Sequence, residues 1–357
     1  MIKVTLTNEI LRYITEIEQN RYKVSSVKLS KTVMNKLRKN SKKKSSYASN
    51  KIEGNPLSEK QVNEVIESDE RKHYLKPEQE VRNYFLALNY LEEKVKNKEK
   101  FSKQLILDVQ KLVEKGASKE KIGLRGPMPP GVLFAVYDSK TGNPDYIPPE
   151  YCDIPGLLDE LVEYVNTTDD HPLIVAAVVH YQLVTIHPFE DGNGRTARLL
   201  SGYIMDLNGY GFNGIGSLEE YFAYDIDEYY ESIQMGLPAL YYSGRENPPH
   251  PEIWINYFLR MVKLYSGKVC DLQLASEEED IAGSLSFLKG KEKELLIYME
   301  SYTDMKYSDC GCSGRCRKVS GNQNQSVRSC LDPAMQAGNV IRYPQMGNPM
   351  NDGMMPE

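Results

Sequence analysis

The sequence holds no apolar run near the roughly 18–20 residues that a membrane-spanning helix needs, so nothing in it supports a transmembrane reading. Its opening residues, MIKVTLTNEILRYITEIEQN, lack the apolar stretch of a secretory signal, and the expectation is a protein that stays in the cytoplasm. Cysteine is scarce, 6 in 357 residues: Cys152 and Cys270 are isolated, and Cys310, Cys312, Cys316 and Cys330 gather late in the chain. A cytoplasmic chain keeps such thiols reduced, and C-x-C-x3-C with a distant fourth cysteine matches no standard zinc knuckle, so the bland reading is reduced thiols. Positive charge is not in excess either. With 44 Lys and Arg against 50 Asp and Glu the net charge is −6, which argues against general affinity for nucleic acid. The one basic cluster, Lys36 to Lys44, reads as a solvated helix end or loop. No repeat of solenoid period is found, and the single tryptophan, Trp254, reads as core packing.

What is present is material for a large folded core: 40% hydrophobic and 26% charged residues. The length exceeds one ordinary domain, so a catalytic-sized unit with a smaller appendage is expected. Helical periodicity runs from Asn8 to about Leu37, where Ile10, Leu11, Ile14 and Ile17 share a face, until a Lys/Ser stretch interrupts it. A short helix at 45–54 ends at Gly54 before Pro56. Further helices are expected at 58–67, 77–95, 102–115, 154–166, 171–185, 193–207, 217–235 and 251–265. Between Gly123 and Glu150 the composition turns to glycine and proline around two short runs, 132–137 and 145–148, which predicts a β-hairpin about Thr141, Gly142 and Asn143. The acidic run through Glu277, Glu278, Glu279 and Asp280 reads as part of a linker.

The chemistry concentrates in His187–Arg198, HPFEDGNGRTAR, which follows an apolar helix ending at Ile186. A helix end, a turn through Asp191, Gly192, Asn193 and Gly194, and a new helix leave free backbone N–H groups facing an anion, with the helix dipole favouring negative charge. Glycines allow close approach to phosphate oxygens, and Asn193 offers a side-chain donor. Asp191 puts a hard carboxylate beside this cradle, suited to a Mg²⁺ carried on nucleotide phosphates. Arg195 and Arg198, in the first turns of the same helix, are read as pointing together at one end of a polyphosphate. His187 has the residue type to take a proton near neutral pH from a hydroxyl attacking phosphorus.

The segment resembles the signature of the Fic family, His-Pro-Phe-x-Asp/Glu-Gly-Asn-Gly-Arg-x-x-Arg, at every fixed position. The likeness extends over about 45–265, through the hairpin ending IPP at Ile147–Pro149 and the pair Tyr229 and Tyr230. It implies a mainly α fold, a helical bundle with an inserted β-hairpin flap, and a small winged-helix-like α/β appendage at the C-terminus. The corresponding division is an N-terminal helical region at 1–100 carrying the segment 45–54, a catalytic core at 101–266, a linker at 267–285, and the appendage at 286–357 with an irregular tail. The implied reaction is transfer of AMP from ATP and Mg²⁺ to a Ser, Thr or Tyr hydroxyl of a protein, including this chain itself. His187 would be the base, Asp191 the metal ligand, and Gly192, Asn193, Gly194, Arg195, Thr196, Ala197 and Arg198 the nucleotide-binding set. Tyr229 would stack on adenine, while Asp145, Tyr146 and Ile147 would register an extended target segment by strand addition. A kinase-like branch carries Lys where this chain has Gly194, which favours nucleotidyl over phosphoryl transfer.

Ser49–Gly54, SNKIEG, is similar to the family's inhibitory pattern, Ser/Thr-x-x-x-Glu-Gly/Asn. Ser49, Glu53 and Gly54 then imply a restraint in which Glu53 pairs with Arg198 and occupies the γ-phosphate position. Two other readings stay open: removal of AMP with Glu53 orienting water, and an idle nucleotide-binding regulator acting through its C-terminal module. Transfer of a different nucleotide or of phosphocholine is disfavoured by Gly194, Arg195 and Arg198. No membrane partner is expected, and homodimers are frequent in the family, though no interface is legible. Among the remaining histidines, His171 and His180 read as structural.

Overall fold

The computed structural model describes residues 2–68, 71, 73–117, 121–137 and 142–285, with side chains given as far as residue 277. Eleven α-helices, one two-stranded antiparallel sheet and short 3-10 turns at Phe212–Gly214 and Tyr241–Ser243 are found among them. The order is α1 (Asn8–Ser26), α2 (Lys31–Ile52), α3 (Glu59–Glu67), α4 (Lys76–Lys96), α5 (Lys103–Glu114), β1 (Val136–Tyr137), β2 (Pro144–Tyr146), α6 (Ile154–Thr167), α7 (Pro172–Ile186), α8 (Asn193–Leu207), α9 (Glu219–Tyr224), α10 (Ile226–Gln234) and α11 (Glu252–Leu285). The mainly α class with a β-hairpin is as expected. The proposed winged-helix-like appendage and the cysteine cluster lie outside the described residues.

Helix α7 is the axis of the fold because its sequence, PLIVAAVVHYQLVTI, has no polar face to offer water. Nearly every one of its side chains is buried, and α8 packs along it, backed by α4 and α5. Trp254 of α11 is fully buried against the same helix and donates its indole N–H to the Ala177 carbonyl at 2.8 Å. Burying side chains of this size contributes on the order of 2–3 kcal/mol each. Helix α1 lies along α11, and α2 lies against α4 and α9, so the segment carrying Glu53 is packed into the bundle rather than hung from it.

Several boundaries differ from the sequence reading. The first helical run is two helices, because Val27 turns extended (φ −78°, ψ 130°) and the Ser30 hydroxyl caps α2 by accepting from Val33 N–H. The Lys/Ser stretch does not interrupt α2. Ser41 and Ser46 donate back to the Leu37 and Lys42 carbonyls, and Lys42, Lys43 and Lys44 pair with Glu92, Glu67 and Glu220, so neither composition nor charge breaks the helix. That pairing also leaves no uncompensated basic patch at 42–44. The stretch expected as one helix at 217–235 divides at Asp225, whose carboxylate caps α10 by accepting from Glu228 N–H. The expected linker at 267–285 is instead the second half of α11: Val269 and Gln273 are fully buried and Cys270 nearly so, and Cys270 lies beside α1, its thiol donating to the Asn20 carbonyl at 3.5 Å.

Candidate functional site

Helix α7 ends at His187, which adopts a left-handed conformation (φ 48°, ψ 58°) before Pro188, a residue that cannot continue the helix. The chain reverses and re-enters as α8 behind Gly192, also left-handed at φ 81°. That turn is fixed from within. Asn193 accepts from Phe189 N–H at 3.0 Å and donates to the Phe189 carbonyl at 2.9 Å, while the Phe189 ring is completely buried. The oxygen and one N–H of the Asn193 amide are therefore spent on holding the loop, a structural role that sequence reading did not give it.

His187 Nδ1 lies 3.2 Å from the Val184 carbonyl. A carbonyl only accepts, so Nδ1 carries the hydrogen and Nε2 is left with its lone pair. Burial, opposed by that hydrogen bond, pushes the pKa down to about 4, and the imidazole is neutral at pH 7. It is thus a base in the protonation state needed to take a proton.

Arg125, which sequence reading passed over, holds the His187 loop. Its Nε donates to the His187 carbonyl at 2.8 Å, its Nη2 to the Pro149 carbonyl, and its backbone N–H to the Pro188 carbonyl at 2.9 Å. The guanidinium lies 4.6 Å from the centre of the Phe134 ring, which in turn is 6.0 Å from the imidazole. One buried cation thereby ties the hairpin segment to the start of the turn at His187 and Pro188.

The two arginines of the motif diverge. Arg198, almost fully buried, donates from Nε to Ser49 Oγ at 2.8 Å and from Nη2 to the Ser49 carbonyl at 3.1 Å. Nη2 also meets Glu53 Oε1 at 2.5 Å. Burial alone would lower the Arg198 pKa, but Glu53, Tyr229 and Tyr84 together outweigh it and the net shift is upward. Arg195 turns to Glu114 at 2.8 Å and to Asp191 at 3.3 Å, with Glu80 at 4.0 Å, instead of pointing beside Arg198. Glu114 is fully buried and its pKa is raised to about 7, chiefly by burial, with Arg195 opposing. Neither Arg195 nor Glu114 was legible as a pair, because the two are distant in sequence and each alone is an ordinary helix residue.

Asp191 accepts from Gly192 N–H at 2.8 Å, and its other oxygen lies 3.8 Å from Lys121 Nζ. Its carboxylate is 30% exposed, and no group of three or more metal-ligating side chains occurs among the described residues. Such a single, reachable carboxylate fits Mg²⁺ arriving on phosphates and not a metal caged by protein. Thr196 and Ala197 are fully buried and present no side chain to a ligand.

Tyr229 is corrected most. It is 1% exposed, so neither ring face is open to adenine. Its hydroxyl is 2.8 Å from His180 Nε2 and 3.3 Å from Arg198 Nη1. Ser201 Oγ donates to the Arg198 carbonyl at 3.0 Å and lies 3.4 Å from His180 Nδ1. Only one set of directions satisfies these contacts: Arg198 to Tyr229, Tyr229 to His180, His180 to Ser201, and Ser201 back to Arg198. His180, with its pKa driven far down by burial, stays neutral inside that ring.

In the hairpin, Tyr146 points inward and donates to the Thr185 carbonyl, and Ile147 is already paired through its backbone with Ala239 and Tyr241. Asp145 accepts from Gln234 at 2.6 Å. The expected docking residues are therefore internally engaged. The outer edge of β1 carries no pairing among the described residues, and Val132, Leu133 and Tyr137 beside or on it are exposed.

Residues 100–205 match the Fic/DOC family. The chain is 28% identical over 202 residues to the protein named Protein adenylyltransferase Fic of Aedes aegypti, covering 54% of this chain and 38% of that protein. It is 26% identical over 206 residues to the protein of the same name in Drosophila grimshawi, covering 56% and 40%. A 70-residue segment is 43% identical to protein adenylyltransferase fic-1 of Caenorhabditis briggsae, covering 18% and 13%. The chain thus spans about two fifths of the insect relatives it matches. The fold is similar to that of a Fic family protein from Desulfovibrio desulfuricans G20, with a TM-score of 0.61 at 22% identity over 76% of this chain and 77% of that one. It is also similar to Fic-1 of C. elegans, with a TM-score of 0.58 at 23% identity over 76% and 73%.

Proposed function

We propose that this chain, whose residues 100–205 form a Fic domain, transfers AMP from ATP to a hydroxyl of a protein and is held at rest by Glu53. The observation that carries the reading is the arrangement at one turn: a neutral imidazole with a free Nε2, a backbone cradle at Gly192–Gly194, and an arginine beyond it closed off by a carboxylate.

His187 Nε2 accepts the hydroxyl proton as the oxygen attacks the α-phosphorus, and pyrophosphate leaves. The N–H groups at the start of α8 and its dipole stabilise charge on the phosphates, and Arg198 receives the γ end once Glu53 withdraws. Mg²⁺, where bound, would be held by Asp191 and the phosphates and would neutralise charge there. Arg195 and Glu114 hold Asp191 and the loop in place.

In the resting arrangement every nitrogen of Arg198 is engaged: Nε by Ser49, Nη2 by Ser49 and Glu53, and Nη1 by Tyr229. A γ-phosphate competes for a group already satisfied. Self-labelling with ATP and magnesium tests both halves of the reading. Glu53→Gly raises it well above wild type and His187→Ala abolishes it. Equal labelling by wild type and Glu53→Gly removes the restraint, and no labelling by either removes the transfer.

A further inference from the structure

The end of α2 is closed by a turn in which backbone and side chain do separate work. Gly54, left-handed at φ 78°, donates its N–H to the Lys51 carbonyl at 3.0 Å, and the N–H of Asn55 returns to the Asn50 carbonyl at 3.0 Å. This is a glycine stop of a helix and uses main-chain groups alone. The Asn55 side chain is left to act outward. Its Oδ1 accepts from Leu57 N–H at 3.1 Å, which shapes the way into α3, while its Nδ2 donates to Glu80 Oε2 at 2.9 Å and to the Pro77 carbonyl at 3.1 Å.

Glu80 stands in the second turn of α4, with a side chain only 15% exposed. Its other oxygen faces Lys76 Nζ at 3.7 Å and Arg195 Nη1 at 4.0 Å. One carboxylate thus lies between the residue two places past Glu53 and the first arginine of the motif. A charge-assisted bond largely shielded from water is the kind whose loss is felt. Glu53, by contrast, is a third exposed and occupies the cap position of α2, where a helix frays unless something outside it fixes the end. The Tyr230 hydroxyl also meets this end, 3.4 Å from the Ile52 carbonyl, which is the longer and weaker tie.

We propose that Asn55 is a positioning residue for Glu53: by tying the cap of α2 to Glu80 on α4 it holds the Glu53 carboxylate against Arg198, and release of the restraint requires this tie to open. The inference rests on the restraint proposed above and deepens it. It names what keeps the blocking carboxylate in register and puts that control on α4, ahead of the Fic segment at 100–205. The backbone stop at Gly54 ends the helix whether or not the tie is made, so the two roles of the turn are separable by substitution.

The test is Asn55→Asp in the full chain, which keeps the acceptor for Leu57 N–H, removes the donor toward Glu80 and sets two carboxylates face to face. Self-labelling with ATP and magnesium rises about fivefold over wild type, and hydrogen exchange at the amides of Glu53, Gly54 and Asn55 accelerates by a similar factor. In the Glu53→Gly background the same substitution leaves labelling within about twofold, because the group it positions is gone. Asn55→Asp combined with Glu80→Gln restores the bond with donor and acceptor exchanged, and the exchange rates return to those of wild type. A purely local role in the turn is not repaired from α4, so exchange as fast in the pair as in Asn55→Asp overturns the tie, as does wild-type exchange in Asn55→Asp. Fast exchange with wild-type labelling, where Glu53→Gly labels strongly, overturns the positioning role. If Glu53→Gly labels no more than wild type, the restraint itself fails, and the exchange measurement still decides whether Asn55 holds the cap to Glu80.

Discussion

Gly194 lacks a side chain at the very place where Glu53 lies: a Cβ there would collide with Glu53 Oε1 and stand 3.1 Å from Arg198 Nη1. The proposed restraint would then be a fit between a carboxylate at the end of α2 and a bare Cα on α8. Gly194→Ala is expected to push the Glu53 carboxylate off Arg198. Arg198 is almost fully buried and Glu53 a third exposed, so breaking their contact costs about 1–3 kcal/mol, less than a wholly buried pair. Chemical denaturation reads the cost, and a crystal structure of the variant with the 2.5 Å contact intact would refute it.

Arg125→Ala removes the side chain that bridges the His187 and Pro149 carbonyls. With two charge-assisted bonds gone and two buried carbonyls unpaired, stability falls by about 2–4 kcal/mol. Labelling in the Glu53→Gly background falls more than about tenfold, because the turn carrying His187 loses its tie. Arg125→Lys does not restore either quantity, since a single ammonium cannot span both oxygens as the fork does. Full activity of the lysine variant would show that charge alone matters.

The pH dependence follows from His187. Its folded pKa of about 4 lies below the ordinary 6.5, so the base is neutral throughout the range from about pH 5 upward. Labelling by Glu53→Gly should show no inflection near pH 6.5 and should fall only as pH approaches 4. Removing Glu53 takes away a charge that raises this pKa, which moves the limb lower still. For stability the sign is opposite to that of a salt-bridged histidine: the unfolded chain takes up the proton first. The contribution is therefore intact above pH 6.5 and lost as pH falls from 6.5 toward 4. A rate profile with a midpoint at 6.5 would contradict a base that is neutral down to about pH 5.

Tyr229→Phe opens the ring of hydrogen bonds around Arg198, leaving Nη1 and His180 Nε2 without their partner. The cost is about 1–3 kcal/mol, and because the ring faces stay packed it appears without a change in nucleotide selectivity. A loss of preference for ATP over GTP in the Glu53→Gly background, with stability unchanged, would return Tyr229 to the base-stacking role that its position first suggested.

Much of this was legible in the sequence, and the reasons are local. Pro188 and Gly192 punctuate two helices so strongly that α8 begins at Asn193, as read from residues alone. Glu53 was picked out by the likeness of SNKIEG to the family's inhibitory pattern, and Gly54 and Pro56 marked the end of α2 beside it. The parts that escaped are those whose meaning depends on distant neighbours. Arg125 works from a glycine- and proline-rich stretch without periodicity, on carbonyls that leave no trace in a sequence. Tyr229 stands on a helix whose buried side is decided by His180 and Trp254 across the core. The acidic run near Glu277 suggested a linker, whereas Val269, Cys270 and Gln273 upstream of it keep α11 against the bundle.

Ser49 holds Arg198 by two bonds and Glu53 holds it by one, and all three come from a single helix. A stimulus that unseats the end of α2 therefore strips the guanidinium of support at the moment it is freed for a nucleotide. Tyr229 then becomes its sole remaining anchor among these partners. A variant altered at Glu53 alone keeps the two serine contacts, so its Arg198 stays better braced than it would if the whole end of α2 moved. Nucleotide affinity of the point variant is then expected to exceed that of a chain in which Ser49 is displaced as well.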